Sequence, residues 1–136
     1  MIVKARLTFS AAHRLNNPAY DAAWNRNTYD KCDNPSGHGH NYSLEVSVRG
    51  KIHPETGMVI DLKKLKDIMR DRVIDRVDHK NLNTDVDFLR GVIPTAVNLA
   101  RSFWQQLAPA ITDGTLHDVF LQETERNAVI YRGEDE

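Results

Sequence analysis

Ile2-Val-Lys-Ala-Arg-Leu-Thr-Phe-Ser-Ala-Ala-His13 alternates without a break: Val3, Ala5, Leu7, Phe9, Ala11 and His13 share one face, and Lys4, Arg6, Thr8 and Ser10 the other. A period of two predicts a half-buried strand. His13 ends the apolar series, so the strand carries an imidazole inward. Asn41 to Lys51 alternates again, and Tyr42, Leu44, Val46 and Val48 share the face of His38 and His40. After the turn residues Pro54-Glu-Thr-Gly57, Met58 to Ile60 is expected to return as the partner strand of a hairpin.

Asp61 is a suitable N-cap for a helix carrying Leu62, Leu65, Ile68, Met69, Val73 and Val77 at spacings of three and four. Beyond a polar stretch from Asp78 to Asp87, Pro94-Thr95 opens a second helix to about Ile111, with Leu99, Ala100, Phe103 and Leu107 as its stripe. Leu116–Glu123 and Ala128–Arg132 close the chain as two strands around a Thr-Glu-Arg-Asn turn. The order ββ-α-α-ββ predicts an α+β fold, with a four-stranded antiparallel sheet and both helices on one face. Its other face is left to be covered by further copies of the chain. Asn16 to Lys31, holding Tyr20, Trp24 and Tyr29, reads as a long loop of the kind that carries function.

The 136 residues fit a single domain spanning 1–136. A net charge of −1 advertises neither a nucleic-acid partner nor a membrane surface. No apolar run approaches the ~18–20 residues of a membrane span, and the N-terminal residues lack a secretory pattern. One cysteine excludes an intrachain disulfide, which agrees with a reducing cytoplasm.

The chemistry centres on His13, His38 and His40. A single histidine on an apolar face is most often a hydrogen-bonded core residue. Three that all extend apolar strand faces need partners, and one cation supplies them. Zinc accepts neutral imidazole, and three histidines leave a coordination position open for substrate. Cys32 has three readings: an inert buried thiol, a fourth ligand closing a structural site, or a base whose thiolate is favoured by nearby positive charge. Asp78-His79 reads either as a helix-terminal charge pair or as an imidazole oriented by a carboxylate to pass protons. Glu123 falls on the apolar face of its strand and needs a partner, either a buried Arg or a ligand with two parallel N–H donors, such as a pterin edge. His53 and His117 lie in polar, turn-like surroundings and are expected at the surface.

Taken together, these segments resemble the 6-pyruvoyl-tetrahydropterin synthase and 6-carboxy-tetrahydropterin synthase family. The matching stretches are Phe9-Ser-Ala-Ala-His13-Arg-Leu15, Cys32-Asp-Asn-Pro-Ser-Gly-His38-Gly-His-Asn-Tyr42, Gly57-Met-Val-Ile-Asp61, Val77-Asp-His79-Lys-Asn-Leu82, Pro94-Thr95, Glu123-Thr124 and Tyr131-Arg-Gly133. The resemblance implies a tunnelling fold in which monomers form a barrel and two trimers stack as a homohexamer, with active sites between subunits. It implies Zn2+ on His13, His38 and His40, Cys32 as general base, and Asp78 and His79 as proton relay. It further implies Glu123 and Thr95 at the substrate, 7,8-dihydroneopterin triphosphate.

The spacing from Cys32 to His38 resembles the pyruvoyl branch more closely than the queuosine-forming carboxy branch, whose histidine segment is shorter. Val97 stands where the family commonly has glutamate, and this departure leaves a non-catalytic pterin- or zinc-binding paralogue as a third reading. Arg14, Arg26, Lys31 and Lys80 are the candidate cations for triphosphate.

Overall fold

A computed structural model describes residues 1–134. The two alternating segments form long strands, β1 (Ile2–His13) and β2 (His38–Arg49), paired antiparallel along their whole length with His13 opposite His38. The second edge of β2 takes β4 (Thr115–Gln122), which in turn pairs with β5 (Ala128–Tyr131). The remaining edge of β1 takes a two-residue strand, β3 (Lys80–Asn81), which runs parallel to it. The sheet therefore has five strands in the order β3-β1-β2-β4-β5 and is mixed, where four antiparallel strands were expected.

Two further expectations are corrected. Met58 to Ile60 forms no strand: β1 and β4 already occupy both edges of β2, so a hairpin partner there has nowhere to pair. Val59 and Ile60 are instead buried as core side chains. The expected loop at 16–31 contains a helix, α1 (Ala22–Tyr29), capped by Asp21, whose carboxylate accepts from the Trp24 N–H. The apolar periodicity that marks a core-facing helix is missing there. Most of its residues are exposed, and the buried one is the polar Asn25.

The long helices follow their sequence signals. Asp61 caps α2 (Leu62–Met69), which continues through a wide turn, Arg70–Ile74, into α3 (Asp75–Val77). Leu65, Met69, Val73 and Val77 stand four apart, a spacing that drifts by about 40° per step around a regular helix. The wide turn absorbs that drift, and all four side chains are fully buried. Thr95 caps α4 (Ala96–Leu107), which buries Leu99, Ala100, Phe103 and Leu107.

Phe9, Tyr42, Leu44, Val46, Val119 and Leu121 line the helix-covered face of the sheet. The opposite face presents Lys4, Arg6, Thr8, Asn41, Glu45 and Ile130. His53 is exposed as expected, whereas His117 lies on β4, half-buried and 3.7 Å from Asp118. No helix among the described residues is long and apolar enough to cross a membrane.

Candidate metal centre and its surroundings

The pairing of β1 with β2 brings the three histidines together at one end of the sheet. Their ligand atoms all lie within 4.8 Å of one another, and Nε2 of His13 is 3.1 Å from Nε2 of His38. Two imidazoles on one tetrahedral zinc at ~2.0–2.1 Å stand about 3.3 Å apart, so this spacing suits a shared cation.

The backbone around the pair is shaped for the approach. Gly37 has φ +73°, and a Cβ there would stand 3.1 Å from the His13 carbonyl oxygen. A side chain at Gly39 would meet the Ala11 carbonyl at 3.3 Å. The two glycines thus let His38 and His40 close against β1.

Nδ1 of His13 donates to the Pro94 carbonyl at 2.8 Å. A carbonyl only accepts, so this bond places the ring proton on Nδ1 and leaves Nε2 as a lone pair facing the other histidines. Burial lowers the His13 pKa to about 4, against the Pro94 hydrogen bond, and the neighbouring His38 and His40 lower it further. Burial also lowers His40, with Glu123 pulling the other way. Nδ1 of His38 is buried without a hydrogen-bond partner among the described residues. His13 is thus a buried, neutral nitrogen donor grouped with the nitrogens of His38 and His40, a donor set that a divalent metal could join.

Glu123 borders this cluster, and its charge reaches Cys32. Glu123 lies one residue beyond β4, half-buried rather than on the strand, with Oε1 3.9 Å from Nε2 of His40. Its partner is thus an imidazole rather than a buried arginine. Cys32 sits on a short turn, Asp30–Asp33, and stands outside the group of ligand atoms. Burial, then the charges of Glu123 and Asp30, push its thiol upward. Burial and Glu123 likewise push the Tyr42 phenol up.

Asp78 and His79 lie elsewhere. Nδ1 of His79 is 2.9 Å from Oδ1 of Asp78, and the same oxygen accepts from the Ser10 N–H at 2.9 Å. These bonds, that of Ser10 foremost, hold the Asp78 carboxyl below its usual range. His79 has φ +60°, and its side chain is 83% exposed. The dyad lines a hollow with Arg6, Ser10, Asn41 and Ser43 on the uncovered face, whereas the histidine cluster faces Pro94 and the helices.

Thr95, the cap of α4, fixes the backbone beside the Pro94 carbonyl by accepting from the Asn98 N–H at 3.2 Å. Val97 is 64% exposed on the first turn of that helix. Arg14 is already engaged: Nη2 donates to Asp33 Oδ1 at 3.0 Å. Sequence reasoning missed this pairing, the Pro94 carbonyl and the role of Asn83 at the Arg14 backbone. A backbone acceptor leaves no residue signature. The Arg14–Asp33 pairing had one faint signal, in that each residue directly follows a chemistry-bearing one, His13 and Cys32.

A family model described as 6-pyruvoyl tetrahydropterin synthase matches residues 2–134. A protein of Poecilia reticulata named 6-pyruvoyl tetrahydrobiopterin synthase is 44% identical over 127 residues, covering 93% of this chain and 86% of that protein. The human protein of the same name is 42% identical over 132 residues, covering 97% and 91%. The solved Caenorhabditis elegans 6-pyruvoyl tetrahydropterin synthase superimposes with a TM-score of 0.93 at 39% identity, covering 98% of this chain and 96% of that one.

Proposed function

This chain belongs to the 6-pyruvoyl tetrahydropterin synthase family, and on that premise we propose that it is a zinc-dependent lyase converting 7,8-dihydroneopterin triphosphate to 6-pyruvoyl-tetrahydropterin with loss of triphosphate. The observation that carries the metal-dependent reading is the cluster of His13, His38 and His40, whose ligand atoms lie within 4.8 Å of one another, with His13 held neutral by burial. His13, His38 and His40 would hold the zinc, which would supply Lewis acidity to the oxygens of the substrate side chain and so acidify the adjoining C–H and O–H groups.

The chain's own groups take the remaining work. Glu123, at the rim beside His40, is suited to accept two parallel N–H bonds from the pterin edge, which would fix the side chain over the metal. Cys32 is the proposed base, taking a proton from a side-chain carbon. Its thiol is pushed up by burial and two carboxylates, so it depends on a cation brought to the site. His79, oriented by Asp78, is the proposed donor that returns a proton to the pterin ring. Within one chain the dyad lines a hollow with Arg6 and Asn41, while the His13 ring is turned to the Pro94 carbonyl. We therefore assign the working site to two chains, with the uncovered sheet face and the short edges β3 and β5 as the surfaces that join copies into a barrel and a homohexamer.

The test is anaerobic incubation of the zinc-loaded protein with 7,8-dihydroneopterin triphosphate and identification of the products by mass spectrometry. A 6-pyruvoyl product with free triphosphate is expected. A 6-carboxy product with acetaldehyde would move the chain to the queuosine-forming branch, and pterin binding without turnover would make it a paralogue.

A further inference from the structure

Arg14 joins three segments that carry the proposed chemistry. It directly follows His13, and Asp33 directly follows Cys32. Its Nε donates to the Asp33 carbonyl at 2.8 Å and its Nη2 to Asp33 Oδ1 at 3.0 Å. Asn16 Nδ2 donates to the same carboxylate oxygen at 2.8 Å, and the Leu15 N–H donates to the Cys32 carbonyl at 2.8 Å. Four hydrogen bonds thus span residues 14–16 and 32–33, and the Asp33 side chain is 10% exposed.

The Arg14 backbone is held as well. Its N–H donates to Asn83 Oδ1 at 2.7 Å, and its carbonyl accepts from Asn83 Nδ2 at 2.8 Å. Asn83 ends the segment that starts at Asp78-His79 and is itself tied to β1 through His79 N–H to Ser10 O and Leu82 N–H to Ala12 O.

We propose that Arg14, through Asp33, is a positioning residue that holds the Cys32 turn at a fixed distance from the histidine cluster, with Asn83 holding Arg14 in place. The alternative use for this arginine, a free cation for triphosphate, is poorly served when its Nε and Nη2 point at Asp33. Arg14 supplies two of the four hydrogen bonds that tie the turn to residues 14–16. The turn is a single short one between α1 and β2, and the Asp30–Asp33 residues other than Asp33 are not buried. A guanidinium donating to both a backbone carbonyl and a carboxylate fixes orientation as well as distance, which a lysine cannot reproduce.

This inference rests on the reading of Cys32 as the base, so the test separates the two. The sole thiol gives a readout independent of turnover: the rate at which iodoacetamide alkylates Cys32 in the zinc-loaded protein, followed by mass spectrometry. Arg14→Ala is expected to raise that rate several-fold while bound zinc stays at the wild-type level. Its kcat should fall by ten-fold or more with KM changed less than about three-fold, and Arg14→Lys should recover a minority of the loss. Arg14→Ala and Asp33→Ala combined should be no worse than the poorer single variant.

If Arg14→Ala does not fold, Asp33→Asn, which keeps the shape of the side chain and removes its charge, should still raise the alkylation rate. Unchanged alkylation in both Arg14→Ala and Asp33→Asn, or additive losses in the double variant, would overturn the proposal. Full turnover by Cys32→Ala would instead overturn the role of Cys32, and the alkylation result would stand.

Discussion

His13 and Pro94 are joined by a hydrogen bond from Nδ1–H to the carbonyl, 2.8 Å long and buried. It fixes the His13 ring with its proton on Nδ1, and burial keeps the pKa near 4, below its ordinary 6.5. Above pH 6.5 the ring is neutral folded or unfolded. Between 6.5 and 4 the unfolded chain takes up a proton that the folded chain refuses, so stability falls as pH falls and the loss is complete below about 4. The total for this group is on the order of 3 kcal/mol. Urea midpoints of the chelator-treated protein should drop between pH 7 and pH 4.5, and drop less in His13→Gln. An equal drop in both proteins would remove His13 as the cause.

Gly37 and Gly57 share a left-handed φ, +73° and +72°, but a Cβ at Gly37 would stand 3.1 Å from the His13 carbonyl while one at Gly57 meets nothing within 4 Å. Alanine in this conformation costs about 1–2 kcal/mol at either position. Gly37→Ala must also push His38 away from His13. Both variants should melt lower, and Gly37→Ala alone should bind zinc more weakly in a competition titration with a chromophoric chelator. Equal zinc affinity in the two would mean that the glycine serves the turn and not the site.

The parts of this molecule legible in the sequence are those written as periodicity. The alternation ending in His13 specified β1, its buried face and its inward imidazole, and steps of four from Leu65 to Val77 specified a buried helical stripe. The parts that were not legible depend on tertiary pairing. Lys80–Asn81 has no strand pattern of its own and is a strand because the free edge of β1 holds it. Helix α1 has no apolar stripe, since it is held by the polar Asn25. The histidine spacing picked out three residues that the fold brings together, but no spacing could say that His79 lines a hollow with Arg6 and Asn41.

Cys32 stands outside the group of ligand atoms formed by the histidines, although the charge of Glu123 reaches its thiol. Cys32→Ala should therefore retain one zinc per chain and an unchanged melting temperature while losing turnover to background. Loss of zinc together with stability would restore the reading of Cys32 as a structural ligand.

Asn25 is 1% exposed and organises the segment before Cys32. Its Oδ1 accepts from the Asn17 N–H at 2.7 Å, and its Nδ2 lies within 3.0–3.2 Å of the carbonyls of Asn17, Tyr20 and Asp21. Asn25→Leu leaves these backbone groups short of partners at ~1–3 kcal/mol for each one left buried. Asn25→Asp places a carboxylate against three carbonyl oxygens. Both should unfold at lower urea than wild type, Asn25→Asp included despite its near-identical size. A wild-type midpoint for Asn25→Asp would show that the amide donor is dispensable.

The separation of the Asp78–His79 dyad from the histidine cluster leads to a test that needs no structure of the assembly. His79 is 83% exposed and shares a hollow with Arg6 and Asn41, while Cys32 lies within the influence of Glu123, which stands beside His40. If one chain supplies the thiol and its neighbour the imidazole, Cys32→Ala and His79→Ala chains are each inactive, but each retains what the other lacks. In an equal mixture reassembled from separated chains, an intact thiol meets an intact dyad at about one interface in four, so about a quarter of wild-type turnover should return. Reassembly of either variant by itself should return none. A mixture that forms the same oligomer and stays inactive would place thiol, metal and dyad in one chain, and the division of labour across the interface would have to be abandoned.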